Sequence, residues 1–268
     1  YNWTGDGASP DWWSALQRKT VLSGNYFYNN GNPGSYLEHQ AYTESDGVTI
    51  EYNRFGPQRN GARGSQIKDR SIGTVIRYNT IAQSREGWSL DLVEPEESYS
   101  VLGDKPEFKQ TFVYGNLIVS RGVPDPNIVH WNEDHQSGHG RAAVPDGTLY
   151  YYHNTLIIFS DRSDPRPYTI FNGTWGGYDC PSGDSPGVID LRNNIFSTIS
   201  TAAGDRTPPI KLGYCGSENI ALGKNWISPG AIPTGVLSGW SNLISPADND
   251  AGFLSNHDFR LENGSSAM

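Results

Sequence analysis

The sequence predicts an all-β solenoid, a fold in which short strands stack in successive coils. Three observations lead to this fold class: a motif that recurs along most of the chain, the distance between its copies, and a composition rich in turn-forming residues. A recurring unit of this size is typical of stacked repeats. The motif is apolar-x-x-Asn-x-apolar, and its seven copies are Leu22/Asn25/Phe27, Ile50/Asn53/Phe55, Ile76/Asn79/Ile81, Val113/Asn116/Ile118, Tyr151/Asn154/Leu156, Leu191/Asn194/Phe196 and Leu222/Asn225/Ile227.

The spacing of the motif indicates coils with insertions. Successive motif asparagines are 28, 26, 37, 38, 40 and 31 residues apart, a period that is typical of repeats whose insertions loop out of the stack. The copies are rich in Val, Ile, Tyr and Phe and are flanked by Gly, Asn, Asp and Pro, so each is predicted to be a strand that ends in a turn. Asparagine suits this turn because it tolerates the left-handed region and its amide can bond along a stack of identical amides.

Length and composition favour one turn-dense domain. The chain has 268 residues, of which 31 are Gly, 17 are Pro and only 18% are charged, whereas a helical bundle would need more Ala, Leu, Glu and Lys. We predict a single domain over residues 1–268, with an N-terminal cap at 1–20 and irregular coils at 228–268. The segment DWWSALQRK is the one predicted helix, capped by Asp11, and Trp12 and Trp13 are expected to cover the end of the stack.

Charge and hydropathy argue against a nucleic-acid partner and against a membrane span. The net charge is −9 and the pI is near 5.1, so we expect no nucleic-acid partner. The longest apolar stretch, TLYYYHNTLIIF, is interrupted by His153 and Asn154, so no membrane span is predicted. The chain begins at Tyr1 without an apolar leader, which fits either a mature secreted, periplasmic or extracellular protein or a sequence that has been trimmed at its N-terminus. The sequence makes no prediction of the oligomeric state.

The two cysteines of the chain are predicted to form a disulfide. Cys180 and Cys215 each follow one of two strands that should be neighbours in the stack. Their pairing would close a loop of about 35 residues, which the chain-entropy model values at roughly 3 kcal/mol or more. The alternative is a pair of free thiols in a reducing compartment.

A second set of strands lies between the asparagine-bearing strands, and one of its faces carries charge. If the apolar residues Ile67, Leu90, Val129, Ile170 and Ile210 point inward, their successors point outward, because side chains alternate along a strand. Three of these successors form a candidate acid/base constellation on consecutive coils. The alternative is a structural ladder of surface ion pairs. The predicted outward column is Lys68, Asp91, His130, Phe171 and Lys211.

Two long insertions follow consecutive strands of this face. Residues 96–110 and 132–147 are predicted to form the walls of a groove beside the column. The segment HWNEDHQSGHGR within 130–141 concentrates histidines, acids and Arg141, and Trp131 is placed to stack on a sugar ring. Calcium is the metal that suits the oxygen ligands available here. The candidate binding residues are Trp131, Arg141, Glu94, Glu133 and His135, and the candidate calcium ligands are Asp134 with Asp91, Glu94 or Glu133.

The chain resembles a known family over nearly its whole length. The run IKDRSIGTVIRYNTI, followed by SLDLVEP, TFVYGNLI and TLYYYHNTLII, is similar to secreted bacterial proteins of the pectate-lyase-like superfamily. That resemblance implies a right-handed parallel β-helix that degrades polysaccharides. Related alginate-lyase-like members place a Lys on one coil and an Arg on the next, whereas this chain has Asp91 after Lys68.

Three functions follow from the fold and the column. A polysaccharide lyase would cleave a uronate polymer by β-elimination, with Lys68 or His130 as the base and Arg70, Arg141 or calcium neutralising the carboxylate. A glycoside hydrolase would use Asp91 paired with Glu94 or Glu133. The third function is non-catalytic glycan binding or a structural role. Because the column is expected to face outward, alanine at Lys68 or His130 should abolish turnover and change the unfolding free energy by no more than roughly 1 kcal/mol.

Overall fold

A computed structural model describes most of the chain. The described residues are 2–3, 20–82, 86–96, 98–121, 127–133, 147–160, 167–174, 187–200, 209–213, 219–231, 236–245, 251–255, 258–265 and 267. Cys180, Cys215 and the predicted helix over DWWSALQRK lie outside these residues, so the predicted disulfide and the predicted cap stay predictions.

Short strands make up most of the described structure. The few described helical segments are α1 (Tyr99–Leu102) and two 3₁₀ turns at Pro106–Lys109 and Trp240–Asn242. The strands in chain order are β1 (Asn2–Trp3), β2 (Thr20–Ser23), β3 (Tyr26–Phe27), β4 (Ala41–Glu44), β5 (Val48–Glu51), β6 (Arg54–Phe55), β7 (Ile67–Asp69), β8 (Val75–Arg77), β9 (Thr80–Ala82), β10 (Trp88–Val93), β11 (Gln110–Tyr114), β12 (Leu117–Arg121), β13 (Asn127–Glu133), β14 (Thr148–Tyr152), β15 (Thr155–Ser160), β16 (Tyr168–Thr174), β17 (Val188–Arg192), β18 (Ile195–Ser200), β19 (Ile210–Gly213), β20 (Asn219–Leu222), β21 (Asn225–Ile227), β22 (Val236–Ser238), β23 (Leu243–Ile244), β24 (Phe253–Ser255) and β25 (Asp258–Leu261).

These strands form three parallel sheets with regular rungs. Sheet A has the order β1-β4-β7-β10-β13-β16-β19, sheet B the order β2-β5-β8-β11-β14-β17-β20-β22, and sheet C the order β3-β6-β9-β12-β15-β18-β21-β23. Every third strand of the central rungs therefore joins the same sheet, as stacked coils require. The predicted all-β class is confirmed to this extent, and the arrangement is consistent with a parallel β-helix. A separate antiparallel pair, β24–β25, follows the stack.

The hydrophobic core runs along the stack between the three sheets. Each rung contributes inward residues that are fully buried, such as Ile67 from sheet A, Ile76 from sheet B and Ile81 from sheet C. The same pattern repeats in the next rung with Leu90 and Val113. Burial of this continuous apolar column is the main source of stability for a fold whose units cannot fold alone.

The seven motif asparagines form one hydrogen-bonded ladder at the turn from sheet B to sheet C. In each of the first six, Nδ2 of the side chain donates to Oδ1 of the next asparagine, at 2.9–3.2 Å. For six of them, Nδ2 also donates to the carbonyl of the motif's apolar residue one coil earlier, as from Asn116 to Ile76 at 2.9 Å. The prediction that these residues share one edge is therefore confirmed.

The left-handed backbone of this turn lies at the residue before the asparagine and not at the asparagine itself. Positive φ values occur at Tyr52 (54°), Tyr78 (57°) and His153 (54°), and at Gly115 (66°). The tyrosines stack along the solenoid, with the ring centroids of Tyr52 and Tyr78 5.3 Å apart.

The register of sheet A departs from the prediction at β16. Val129 pairs with Phe171 and His130 pairs with Asn172, with an irregularity further along β13. Phe171 is fully buried in the core, and Lys211 pairs with Thr169. Phe171 therefore lies inside and not on the outer face as predicted. Lys211, between the core residues Ile210 and Leu212, keeps an outward position, but it pairs with Thr169 and so does not continue the column of His130.

No helix of the described residues is long and apolar enough to cross a membrane.

Candidate functional site

The candidate site lies on the face of sheet A that points away from the core. The register pairs Lys68 on β7 with Asp91 on β10, and Asp91 with His130 on β13. The preceding residues Ile67, Leu90 and Val129 belong to the hydrophobic core, so strand alternation sends the three polar side chains to the opposite side. The neighbour relation of these three residues was predictable from the sequence.

Asp91 is the centre of this cluster. Its Oδ2 lies 3.0 Å from Nζ of Lys68 and accepts a hydrogen bond from Oγ of Ser65 at 3.2 Å. Its Oδ1 lies 2.8 Å from Nδ1 of His130. Both carboxylate oxygens are therefore engaged by groups from neighbouring rungs.

The charges around Asp91 keep it ionised. Burial alone would raise the pKa of Asp91, but the charge of Lys68 and the hydrogen bond from His130 outweigh burial and hold the pKa well below its usual range. An ionised carboxylate can only accept hydrogen bonds, so Nδ1 of His130 carries the proton and donates it. In the neutral imidazole, Nε2 is then the basic nitrogen.

The cluster is more deeply buried than a surface column would be. The exposed fractions of Lys68, Asp91 and His130 are 6%, 5% and 0%. The ring of Trp88 stacks on the imidazole of His130, with centroids 5.1 Å apart and planes 25° apart. The expectation that alanine here would cost little stability is therefore not supported, because removing one partner of a buried ion pair leaves the other charge unpaired.

Two aromatic groups that the sequence analysis did not select lie beside the cluster. Tyr42 on β4 pairs with Lys68 and so precedes it in the same column. The ring of His39 meets Tyr42 edge to face at 5.6 Å, and Nδ1 of His39 accepts a hydrogen bond from the backbone N–H of Ser65 at 2.8 Å. Both His39 and Tyr42 are half-buried. The alternation of AYTES, with Ala41 inward, is the signal that could have placed Tyr42 in the column.

Arg70 binds the segment that follows β10. Its Nη1 donates to the carbonyl of Glu94 at 2.8 Å, and its Nε lies 3.4 Å from Oε2 of Glu96. Glu44 holds the same segment, because its Oε1 accepts from the backbone N–H groups of Glu96 and Ser98 at 3.1 and 2.8 Å. Arg70 is itself only 2% exposed, so its guanidinium contacts this segment from inside the protein.

The structure describes only some of the remaining candidate binding residues. Trp131 is 4% exposed and lies in the hydrophobic core beside Leu92, so its ring faces away from the side expected to meet a sugar. Glu94 is 3% exposed, and Glu133 is described only as the last residue of β13. Asp134, His135 and Arg141 lie outside the described residues.

A calcium site is not formed by the part of the chain that the structure describes. In that part, no group of three or more His, Cys, Asp or Glu side chains is arranged to hold a metal ion. Asp91, the carboxylate proposed as a shared ligand, is already engaged by Lys68 and His130. The described residues therefore do not form a site that fits calcium.

Asp69 is a second buried carboxylate, and it points inward. Its Oδ1 accepts from Oγ1 of Thr43 at 2.6 Å and its Oδ2 accepts from Oγ1 of Thr74 at 2.5 Å. It lines a small, partly open pocket together with Leu92 and Trp131. Burial raises the pKa of Asp69 although these hydrogen bonds oppose the rise.

Comparison of the chain with protein-family models, with curated proteins and with solved structures found no match. The structure by itself defines a protein of three parallel sheets with a buried Lys-Asp-His cluster on the outer side of sheet A.

Proposed function

We propose that this protein is a secreted enzyme that acts on polysaccharides, and that it cleaves a uronate-containing polymer by β-elimination. We assign it a right-handed parallel β-helix of the pectate-lyase-like kind. The parallel sheets and the asparagine ladder support this assignment, and the strong preference for right-handed crossovers between parallel strands supports the handedness.

The observation that carries the proposal is the buried cluster of Lys68, Asp91 and His130. Its side chains are at most 6% exposed, and an apolar ladder of similar volume in the same place would be equally stable or more stable. Natural proteins keep such departures from simple packing at functional sites. A carboxylate that fixes the tautomer of a histidine and pairs with a lysine is an arrangement suited to proton transfer.

The chemistry assigns the residues distinct roles. β-Elimination needs a base for the α-proton of the uronate and a positive group or hydrogen-bond donor near its carboxylate. In this proposal the base is His130, through Nε2, or Lys68 as the neutral amine, since the charged ammonium that pairs with Asp91 cannot accept a proton. Asp91 positions both side chains. Arg70, which directly follows β7 two residues after Lys68 on the same rung, supplies positive charge. Hydrolysis by a pair of carboxylates is less well supported, because Asp91 is already bound by two basic side chains.

A non-catalytic glycan-binding or structural protein is the second candidate. The observation in its favour is again burial, because His130 is 0% exposed and a base must reach the proton that it removes. In that case the cluster would be a structural ladder of charges inside the wall of sheet A.

The test is incubation with a panel of polyuronates and neutral polysaccharides. Elimination gives an unsaturated product that absorbs in the ultraviolet, and hydrolysis gives a product heavier by one water, so absorbance and mass spectrometry separate the two reactions. Lys68→Gln should abolish elimination, and Lys224→Gln, at an exposed turn position, should leave it unchanged. If the folded protein cleaves none of these polymers, the non-catalytic candidate takes first place.

A further inference from the structure

Asp69 lies on the inner side of sheet A, and the proposed chemistry does not use it. It directly follows Lys68, and because side chains alternate along a strand, the two point to opposite sides. It is 2% exposed, and its carboxylate accepts hydrogen bonds from Oγ1 of Thr43, Oγ1 of Thr74 and the backbone N–H of Ser71. No lysine, arginine or histidine among the described residues forms an ion pair with it.

The small, partly open pocket beside Asp69 leads from the surface to this carboxyl. Asp69 and Trp131 are buried lining residues, whereas Ser71, Phe108 and Thr111 are half-buried ones. The half-buried residues belong to the turn after β7, to the 3₁₀ turn Pro106–Lys109 and to the start of β11, so the pocket opens between these segments. It has room for a group about the size of one or two water molecules.

The lining of this pocket suits a cation. In the described part of the chain, Asp69 is the only ionisable residue that lines it, and Ser71 and Thr111 add hydroxyl oxygens. The side chain of Thr111 makes no hydrogen bond to another described residue. Burial of a carboxylate without a counter-charge is costly, which is why burial raises the pKa of Asp69. A cation in the pocket would supply the counter-charge.

The oxygens of the lining favour a primary ammonium group over a metal ion. Calcium takes about six to eight oxygen ligands, whereas only three lining residues carry a side-chain oxygen. A primary ammonium has three N–H donors, one for each of these residues. The alkyl carbon of an amine also suits the rest of the lining, because burial of apolar surface is favourable. That apolar part consists of Leu92, Val93, Phe108 and Trp131.

We propose that this pocket binds the ammonium group of a small free alkylamine. Asp69 is the counter-charge of the ammonium, and the hydroxyl groups of Ser71 and Thr111 accept its other hydrogen bonds. The pocket lies on the inner side of sheet A, whereas the Lys68, Asp91 and His130 cluster lies on the outer side. The inference is therefore independent of the proposed function and can be tested without a polysaccharide.

The experiment uses methylammonium as the probe, in saturation-transfer NMR and in thermal unfolding at neutral pH. Tetramethylammonium at the same concentration is the reference, because it carries the same charge but is larger and has no N–H donor. We expect saturation transfer to the methyl group of methylammonium. We also expect the wild-type Tm to rise by about 2–4 °C at ten times the dissociation constant from an NMR titration.

Three variants localise the binding. Asp69→Asn removes the charge but keeps an acceptor for Thr43, and it should lose both effects. Thr111→Val removes one hydroxyl from the half-buried part of the lining and should weaken binding about 10-fold or more; it also tests the site if Asp69→Asn does not fold. Asp190→Asn is the matched control, because Asp190 pairs with an exposed arginine on sheet B, and it should respond as the wild type does.

Each other outcome overturns the proposal. If folded Asp69→Asn or Thr111→Val binds methylammonium as the wild type does, this pocket is not where the amine binds. If the wild type binds tetramethylammonium or potassium as tightly as methylammonium, the pocket does not select N–H donors. Tighter binding of Nα-acetyl-lysine amide than of methylammonium would replace the free amine by a lysine side chain of another protein. No binding of methylammonium would remove the amine site, and the test of polysaccharide cleavage would be unaffected.

Discussion

Nδ1 of His130 lies 2.8 Å from Oδ1 of Asp91, which sits one rung earlier on the same face of sheet A. Neither side chain has significant contact with solvent. Burial of an ionised carboxylate is costly unless its charge is balanced, and here Lys68 and His130 provide the balance. The interaction therefore has consequences for stability that can be measured without a substrate.

Asp91→Asn is expected to destabilise the fold. The amide leaves the charge of Lys68 buried without its counter-charge, and breaking a buried pair in this way costs about 3–5 kcal/mol. Denaturant unfolding would measure the loss. Asp190→Asn is the matched control, because Asp190 pairs with an arginine that is 64% exposed, and such surface pairs contribute about 1 kcal/mol or less. Equal losses in the two variants would contradict the buried pair.

The stability difference between the wild type and Asp91→Asn should shrink in acid. The pKa of Asp91 is lowered in the folded protein, so its contribution is fully present above the unfolded carboxyl pKa of about 3.9 and is lost as the pH falls through the folded value. Unfolding free energies measured from neutral pH down to acid pH test this. A difference that stays constant with pH would show that the charge of Asp91 is not what stabilises the cluster.

Asp69→Asn should have the opposite effect. Burial raises the pKa of Asp69, so the carboxyl stabilises the fold most below its unfolded pKa and loses this contribution as the pH rises through the folded value. Asparagine removes the charge, keeps an acceptor for Thr43 and can donate to Oγ1 of Thr74. We expect the variant to be more stable than the wild type at pH 7, with a gain that disappears in acid. A loss of stability at neutral pH would contradict the prediction.

The asparagine ladder and the start of the column were readable from the sequence because both depend on local periodicity. Asn116 and its equivalents follow an apolar residue at the same distance in every coil, so they occupy the same place in every turn. The alternation of inward and outward side chains along each strand likewise predicted that Lys68, Asp91 and His130 lie in register. The same rule would have placed Tyr42 in the column if it had been applied to LEHQAYTES.

The rest of the site depends on contacts that no local pattern encodes. Ile170 is buried in the core as predicted, but β13 and β16 pair with Phe171, and not Ile170, opposite Val129. Both residues are apolar, so the sequence pattern does not distinguish the two registers. The burial of His130 and the inward position of Trp131 arise from packing between rungs. Such packing depends on residues that are distant in sequence.

Asn116→Ala should cost considerably more stability than Asn25→Ala. The buried side chain of Asn116 donates to Ile76 and Asn154 and accepts two hydrogen bonds from Asn79, and each buried group left unsatisfied costs about 1–3 kcal/mol. Asn25 is at the exposed end of the ladder, where water can replace the lost bonds. Denaturant unfolding of the two variants provides the comparison. Similar losses would show that the ladder contributes evenly and not through burial.

Glu44→Ala should loosen the segment that follows β10, which Arg70 also contacts. Oε1 of Glu44 accepts from the backbone N–H groups of Glu96 and Ser98, and the loss of that acceptor removes roughly 1–3 kcal/mol of local protection. Amide hydrogen exchange at these two residues should therefore become about 5- to 150-fold faster. Glu51→Ala is the control, because Glu51 pairs with Arg77 on sheet B and its loss should leave both amides unchanged. If exchange at Glu96 and Ser98 stays at the wild-type rate in Glu44→Ala, the Glu44 carboxylate does not hold the segment. Arg70 would then be its main attachment, and Arg70→Lys should accelerate the same two amides.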